Sequence, residues 1–253
     1  MQKPFIGIPV LNRLDLLERC LGSVDLASEV VVINNNAVDA AFRSGLHQLG
    51  ARFSAVVFDQ ERNLGVSASW NLLARTAFDR GCDWLFIGSN DTVLRPDSLA
   101  KTAAMAGREP EVGVWHIHAW NFFLIRRTTI ERVGQFDENF YPAYKEDQDY
   151  SYRCILAGVE RADVPGAGAD HVGSATVNSN ECYRILSTAA GCWNYWYYLI
   201  KWGGDATKER FRKPFDAPDK DHSWWPAPGG IEVRDWDRVG GLAPAAPHSP
   251  GRP

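Results

Sequence analysis

The chain has 253 residues, is 45% hydrophobic and 23% charged, and carries a net charge of −4. Those values fit one α/β domain with an appendage, and the lack of any long Lys/Arg block argues against nucleic acid as a partner. The five cysteines (Cys20, Cys82, Cys154, Cys182 and Cys192) form no C-x-x-C pair, which reads as reduced thiols in a cytoplasmic protein and excludes a disulfide framework or zinc site. The first eight residues have strand character, so no signal peptide is expected, and no stretch approaches the roughly 18 apolar residues of a transmembrane segment.

Phe5 to Val10 reads as a first strand ending at Pro9. Leu14, Leu17, Leu21 and Val24 follow at helical spacing, with Asn12 available as a cap. Glu29 to Ile33 is a β-branched run expected of a strand buried on both faces, and Phe53 to Phe58 is expected to be another strand. Trp70, Leu73, Ala74 and Ala77 mark one face of a helix starting near Ser67. Trp84 to Ile87 is a third buried strand, and Pro96 suits the first turn of the next helix. Val112 to His118 and Phe122 to Ile125 read as strands, and Thr128 to Glu131 as a capping box opening a short helix. Glu146 to Ala157 is predicted helical, stopped by Gly158. Asn180 would cap a longer helix reaching about Trp202. On that helix Leu186, Ala190, Trp193 and Tyr197 share one side, predicted to dock on the rest of the protein. Eight of the fourteen prolines lie between Pro214 and Pro253, which marks a tail without regular packing. The expected division is 1–179 as a catalytic domain, 180–213 as a helical segment and 214–253 as the tail.

Several polar segments fall where an apolar strand ends or a helix begins, the edge at which open α/β sheets bind ligands. Asp91, in Ser89-Asn90-Asp91, follows a buried strand and is suited to a Mg²⁺ or Mn²⁺ ion on a diphosphate, although Ser-Asn-Asp is also turn vocabulary. Asn34 and Asn35 end another strand, where side-chain amides can pair with a base edge or simply form a turn. Asn63-Leu64-Gly65 precedes a helix whose first N–H groups could hold phosphate, or could serve only as its cap. In Glu146-Asp147-Gln148-Asp149, Arg153 lies four residues beyond Asp149 and would hold it as an ion pair, leaving Asp147 open for general-base work. His171 stands downstream as a lone histidine; His116 and His118 are read as core or rim.

Taken in order, these segments resemble the family 2 glycosyltransferases of GT-A fold, over roughly residues 4 to 175. Ile8-Pro9-Val10-Leu11-Asn12 is similar to their first nucleotide-binding loop, and Val31 to Asn35 to their second strand. Asn63-Leu64-Gly65 through Asn71 is similar to their N-x-G…N helix start. Ser89-Asn90-Asp91 falls at the D-x-D position, and Gly134 to Glu138 with Glu146-Asp147 resembles the segment carrying the base. The resemblance implies a Rossmann-like, mostly parallel sheet flanked by helices. It implies inverting transfer of a sugar from a nucleoside diphosphate to an acceptor hydroxyl, with Asp147 as base and a divalent metal held by Asp91 and His171. The nucleotide-sugar side would comprise Pro9, Val10, Asn12, Asn34, Asn35, Asn63, Gly65, Asn71, Ser89, Asn90 and Asp91. The acceptor side would comprise Glu146, Trp120, Trp224 and Trp225, with a glycan or protein hydroxyl as acceptor. A homodimer is a further expectation. Ser89 replaces the first acid of the D-x-D site and Asn34 stands where many members have Asp, so UDP, dTDP and GDP all remain open, with UDP favoured. The competing reading is a non-catalytic carbohydrate-binding scaffold that uses the ten tryptophans to stack on sugars.

Overall fold

The alternation within the strands decides the layering. Val30 and Val32 face one side of the sheet and Val31 and Ile33 the other, and all four are buried, as expected of a strand covered on both faces. The computed structural model describes residues 4–173, 175 and 177–216.

In chain order the elements are β1 (Phe5–Val10), α1 (Leu14–Gly22), β2 (Glu29–Asn34), α2 (Ala40–Arg52), β3 (Val56–Asp59), α3 (Gly65–Asp79), β4 (Trp84–Gly88) and β5 (Thr92–Leu94). There follow α4 (Ser98–Arg108), β6 (Val112–His118), β7 (Phe122–Arg126), α5 (Arg127–Val133), α6 (Glu146–Ala157), β8 (Glu160–Asp163) and β9 (Ala169–His171). A single 3-10 turn at Val177–Ser179 leads into α7 (Glu181–Trp202). Seven strands form one sheet in the order β3-β2-β1-β4-β7-β6-β8. Pairing is parallel throughout except where β7 runs antiparallel to β4 and to β6. Helices α1, α2 and α4 cover one face, and α3, α5 and α6 the other.

From β1 the chain winds to β2 and β3 on one side, then returns to place β4 on the other. The crevice outside the carboxyl ends of β1 and β4 is therefore the switch point at which such sheets bind ligands. At that edge β5 and β9 form a two-stranded antiparallel ribbon, with Thr92 beside His171. A third cluster of buried aromatics, Phe140, Tyr197, Tyr198 and Trp202, fixes α7 to the body.

Several local expectations are corrected. Arg13, not Asn12, occupies the N-cap of α1, in a left-handed conformation without a side-chain cap. Phe53 and Ala55 precede β3, because α2 runs to Arg52. Pro96 lies ahead of α4, whose N-cap is Asp97. Thr128 lies inside α5 and caps nothing, while the Thr129 hydroxyl donates to the Gly113 carbonyl at 2.9 Å. Asn180 does cap α7, accepting from the Tyr183 N–H at 2.8 Å. The docking face of α7 is Ala190, Asn194, Tyr197, Tyr198, Lys201 and Trp202, whereas Trp193 is 37% exposed. The tail beyond residue 216, with Trp224 and Trp225, lies outside the described residues.

Candidate active site

Two adjoining cavities open at the switch point. The first, about 310 Å³, is bordered by Pro9, Val10 and Leu11 at the tip of β1, Asn35 after β2, and Asn63, Gly65 and Val66 at the start of α3. Ser89, Asn90, Asp91 and His171 close one side, and Tyr183, Leu186 and Ser187 of α7 the other. The second, about 540 Å³, is bordered by Trp70, Trp120, Asn121, Lys145, Glu146, Asp147, Gln148 and Tyr195. Val66, Trp70, Ser89, Ala143 and Tyr144 border both.

Asp91 sits just past β4, where the buried strand delivers it to the sheet edge. His171 Nε2 lies 3.0 Å from Asp91 Oδ1. The β5–β9 ribbon fixes this pair, and the Val172 N–H donates to the Asp91 carbonyl at 3.1 Å. Neighbouring donors on an octahedral ion with bonds of about 2.1 Å are about 3.0 Å apart, so this oxygen and nitrogen fit two positions of one divalent cation. No group of three or more His, Cys, Asp or Glu that could hold a metal occurs among the described residues; an ion here would be completed by diphosphate oxygens and water. Asn90 donates to the Asn12 carbonyl at 3.1 Å, tying the tip of β4 to the loop after β1.

Three expected nucleotide contacts do not border the cleft: Asn12, whose amide donates to the Ser179 hydroxyl at 2.8 Å, Asn34 and Asn71. Asn34 is fully buried and donates to Asp59 Oδ1 at 2.7 Å, while its own oxygen accepts from the Asn36 N–H. Asn71 is likewise internal, bonded to both backbone groups of Phe136 and to Glu138. The amides of Asn34 and Asn71 are consumed by the packing. The first turn of α3 is also satisfied internally: Asn35 accepts from the Leu64 N–H, Asn63 from Gly65, and the Pro142 carbonyl from Val66. Asn63 and Gly65 thus stabilise the start of α3 and also border the first cavity. Gly65 is required there, since its φ is +75° and a Cβ would meet the Pro142 carbonyl at 2.9 Å.

The first turn of α6 carries three carboxylates with different surroundings, of which Glu146 and Asp147 border the second cavity. Asp149 is fully buried and contacts Arg153 Nε at 2.8 Å, Lys201 Nζ at 2.6 Å and Trp202 Nε1 at 2.8 Å. Asp147 makes no ion pair among the described residues. Burial raises its pKa above the ordinary value, against lowering by the Gln148 and Asp147 backbone N–H groups and by Lys145. Burial, with Asp147 adding to it, pushes the Glu146 carboxyl up to about 8. Lys145 itself is turned to Gln148 at 2.6 Å and Asp205 at 3.2 Å. Tyr144 and Lys145, just before α6, both adopt left-handed backbone, with φ of 81° and 74°, the kind of local strain that functional loops retain.

The sequence reading missed the Tyr141–Lys145 loop and Lys201. Asn194 of α7 donates to the Tyr141 and Ala143 carbonyls at 3.3 and 2.7 Å and so holds the loop over both cavities. Lys201 bridges Asp149 to Asp137, each at 2.6 Å. A lone Lys among Tyr197, Tyr198 and Trp202 was the available signal, because a buried cation needs acidic partners.

The sequence pattern of glycosyl transferase family 2 matches residues 5–156. The chain belongs to that family. The GT-A-like fold expected of the family is the one observed. A Leishmania donovani galactofuranosyl glycosyltransferase is 31% identical over 91 residues, covering 32% of this chain and 21% of that protein. The mannosyltransferase PcManGT of Pyrobaculum calidifontis, solved with GDP-Man and Mn²⁺, shares the fold with a TM-score of 0.57 at 14% identity. That match covers 76% of this chain and 63% of that one. GalNAc-T7, solved with UDP, GalNAc and Mn²⁺, matches with a TM-score of 0.56 at 14% identity over 68% of this chain and 44% of its own. The chain thus spans about a fifth of the curated relative and under two thirds of these solved structures. No helix among the described residues is long and apolar enough to cross a membrane.

Proposed function

We propose that this family member is an inverting glycosyltransferase that moves a sugar from a nucleoside diphosphate, UDP in the first instance, to an acceptor hydroxyl on a glycan or protein. The observation that carries the reading is the adjoining pair of cavities, one holding Asp91 and His171 and the other Asp147, with Ser89 and the Ala143–Tyr144 wall common to both. The solved relatives that hold nucleotides and Mn²⁺ support the donor class. Asp91 and His171 would hold a divalent cation, which when bound neutralises charge on the diphosphate. Asp147 takes the proton from the acceptor hydroxyl as that oxygen bonds to the anomeric carbon. The bond from that carbon to the diphosphate oxygen breaks on the opposite face, and the electron pair leaves with the diphosphate. Burial makes Asp147 a stronger base than an ordinary carboxylate.

The test is a nucleotide-sugar panel read by release of UDP, dTDP or GDP, with Mn²⁺ and with chelator, followed by Asp147→Asn. That variant should lose transfer by about 10²–10⁴-fold with donor affinity nearly unchanged. Near-normal turnover would remove Asp147 from the role of base.

A further inference from the structure

Glu146 is 7% exposed and borders the larger cavity. Its Oε2 is buried without a hydrogen-bond partner, while the backbone N–H groups of Tyr144 and Glu146 face the carboxyl. Among the described residues no cation pairs with it. Lys145 is committed to Gln148 and Asp205, and Arg153 and Lys201 are committed to Asp149. The strained Tyr144-Lys145 backbone fixes where the side chain starts. A buried polar atom without a partner is costly, and the cost is relieved when a ligand supplies one. The same cavity is walled by Trp70, Trp120 and Tyr195, ring faces of the kind on which a pyranose or furanose stacks.

We infer that Glu146 is a specificity-determining residue, its carboxyl donating a hydrogen bond to one sugar hydroxyl that occupies this cavity beside Asp147. This rests on the transferase reading above and adds a separate contact to it. A neutral carboxyl is an O–H donor, whereas an ionised one only accepts, and burial beside Asp147 favours the neutral form. Discrimination follows from the chemistry, because a site built to bond a hydroxyl rejects the analogue lacking it when its own polar group is left unpaired. The hydroxyl belongs either to the donor sugar or to the acceptor, and the two sources are separable by experiment.

The test compares wild type, Glu146→Gln and Glu146→Ala on singly deoxygenated donor sugars and singly deoxygenated acceptors, with thermal melting as the check on folding. One deoxy analogue should cost the wild type about 10–100-fold in kcat/KM. Its position on donor or acceptor names the source. Glu146→Ala should lose a similar factor on the parent substrate and nothing further on that analogue. Glu146→Gln, which keeps an N–H donor without charge, should recover most of the loss. The proposal is overturned if every deoxy analogue costs Glu146→Ala as much as wild type, or if Gln is as impaired as Ala. Should Ala fail to fold, the Gln variant decides alone: it must retain discrimination against the same analogue. Failure of the base assignment would show differently, as an active Asp147→Asn with the deoxy pattern of Glu146 unchanged.

Discussion

Three carboxylates within four residues of one helix start are chemically alike on paper and differ through their neighbours. Asp149 is saturated by Arg153, Lys201 and Trp202, Asp147 is in no ion pair among the described residues, and Glu146 has a buried oxygen without a hydrogen-bond partner among them. The raised Glu146 pKa has a definite sign for stability. An unfolded Glu ionises near 4.5 and the folded one near 8, so between those values the folded state binds more protons and stability falls as pH rises. Glu146→Gln should therefore melt progressively higher than wild type as pH is taken from 5 to 8. A constant difference across that range would show that the carboxyl is not held neutral. Asp147 and Asp149 on its own helix act on it, and Lys145 from the loop and Tyr195 from α7 border the same cavity. At the other cavity, calorimetric titration of UDP with and without Mn²⁺ should show metal-assisted binding that Asp91→Ala abolishes and His171→Ala weakens. Equal affinities in both conditions would count against the ion. Residue identity at the strand tips was legible because a buried apolar run announces where it ends. Which amide reaches the cleft was not. Asn34 and Asn35 are adjacent, and only the register of β2 against β3, which sets Asn34 beside Asp59, decides that Asn34 turns inward.

At the scale of elements, α7 shows how a helix can be foreseen and its role misjudged. Its cap and length follow from Asn180 and the run to Trp202, yet its docking side is set by Lys201, which reaches Asp137 and Asp149 at once. Replacing Lys201 by Met leaves two buried acids without their shared cation, and breaking such a pair typically costs about 3–5 kcal/mol; denaturant unfolding should register a loss of that order. For Asp137 burial acts to raise the pKa, but Lys201, the Asn139 N–H and Tyr197 outweigh it and hold it below 3.8. That contribution is present above 3.8 and lost as pH falls through the lower folded value, so Lys201→Met should flatten the acid limb of stability. An unchanged acid limb would deny the linkage. Short or weakly patterned elements escaped the sequence reading for the same physical reason. In α2 only Leu46, Leu49 and Gly50 are buried, and β5 and β9 have three residues each, too few to express a period.

Across the whole molecule, the family match ends at 156 while the packed body continues to the end of the described chain. The Phe215 N–H donates to the Lys201 carbonyl at 2.8 Å, and its ring lies 5.9 Å from that of Tyr197. A chain ending at Asp216 should keep the fold and bind nucleotide, whereas one ending at Asn180 should not fold. We expect the first to transfer sugar poorly if Trp224 and Trp225 border the acceptor, as the tail's composition suggests. Full transfer by that chain would deny the tail a role, and nucleotide binding by the shorter one would show α7 to be dispensable.

The two halves of α7 are anchored unequally, and the helix behaves as a cantilever. Its root, from Ala190 to Trp202, supplies every buried position, while its outer half reaches the first cavity through Tyr183, Leu186 and Ser187. Ser187 and Tyr144 share a hydrogen bond of 2.5 Å between their hydroxyls, which ties this half of the helix to the wall common to both cavities. Amide exchange should be fast in the outer half, slow in the root, and damped at the tip when UDP binds. Under the proposed function, the donor nucleotide would meet α7 along the half that supplies no buried position.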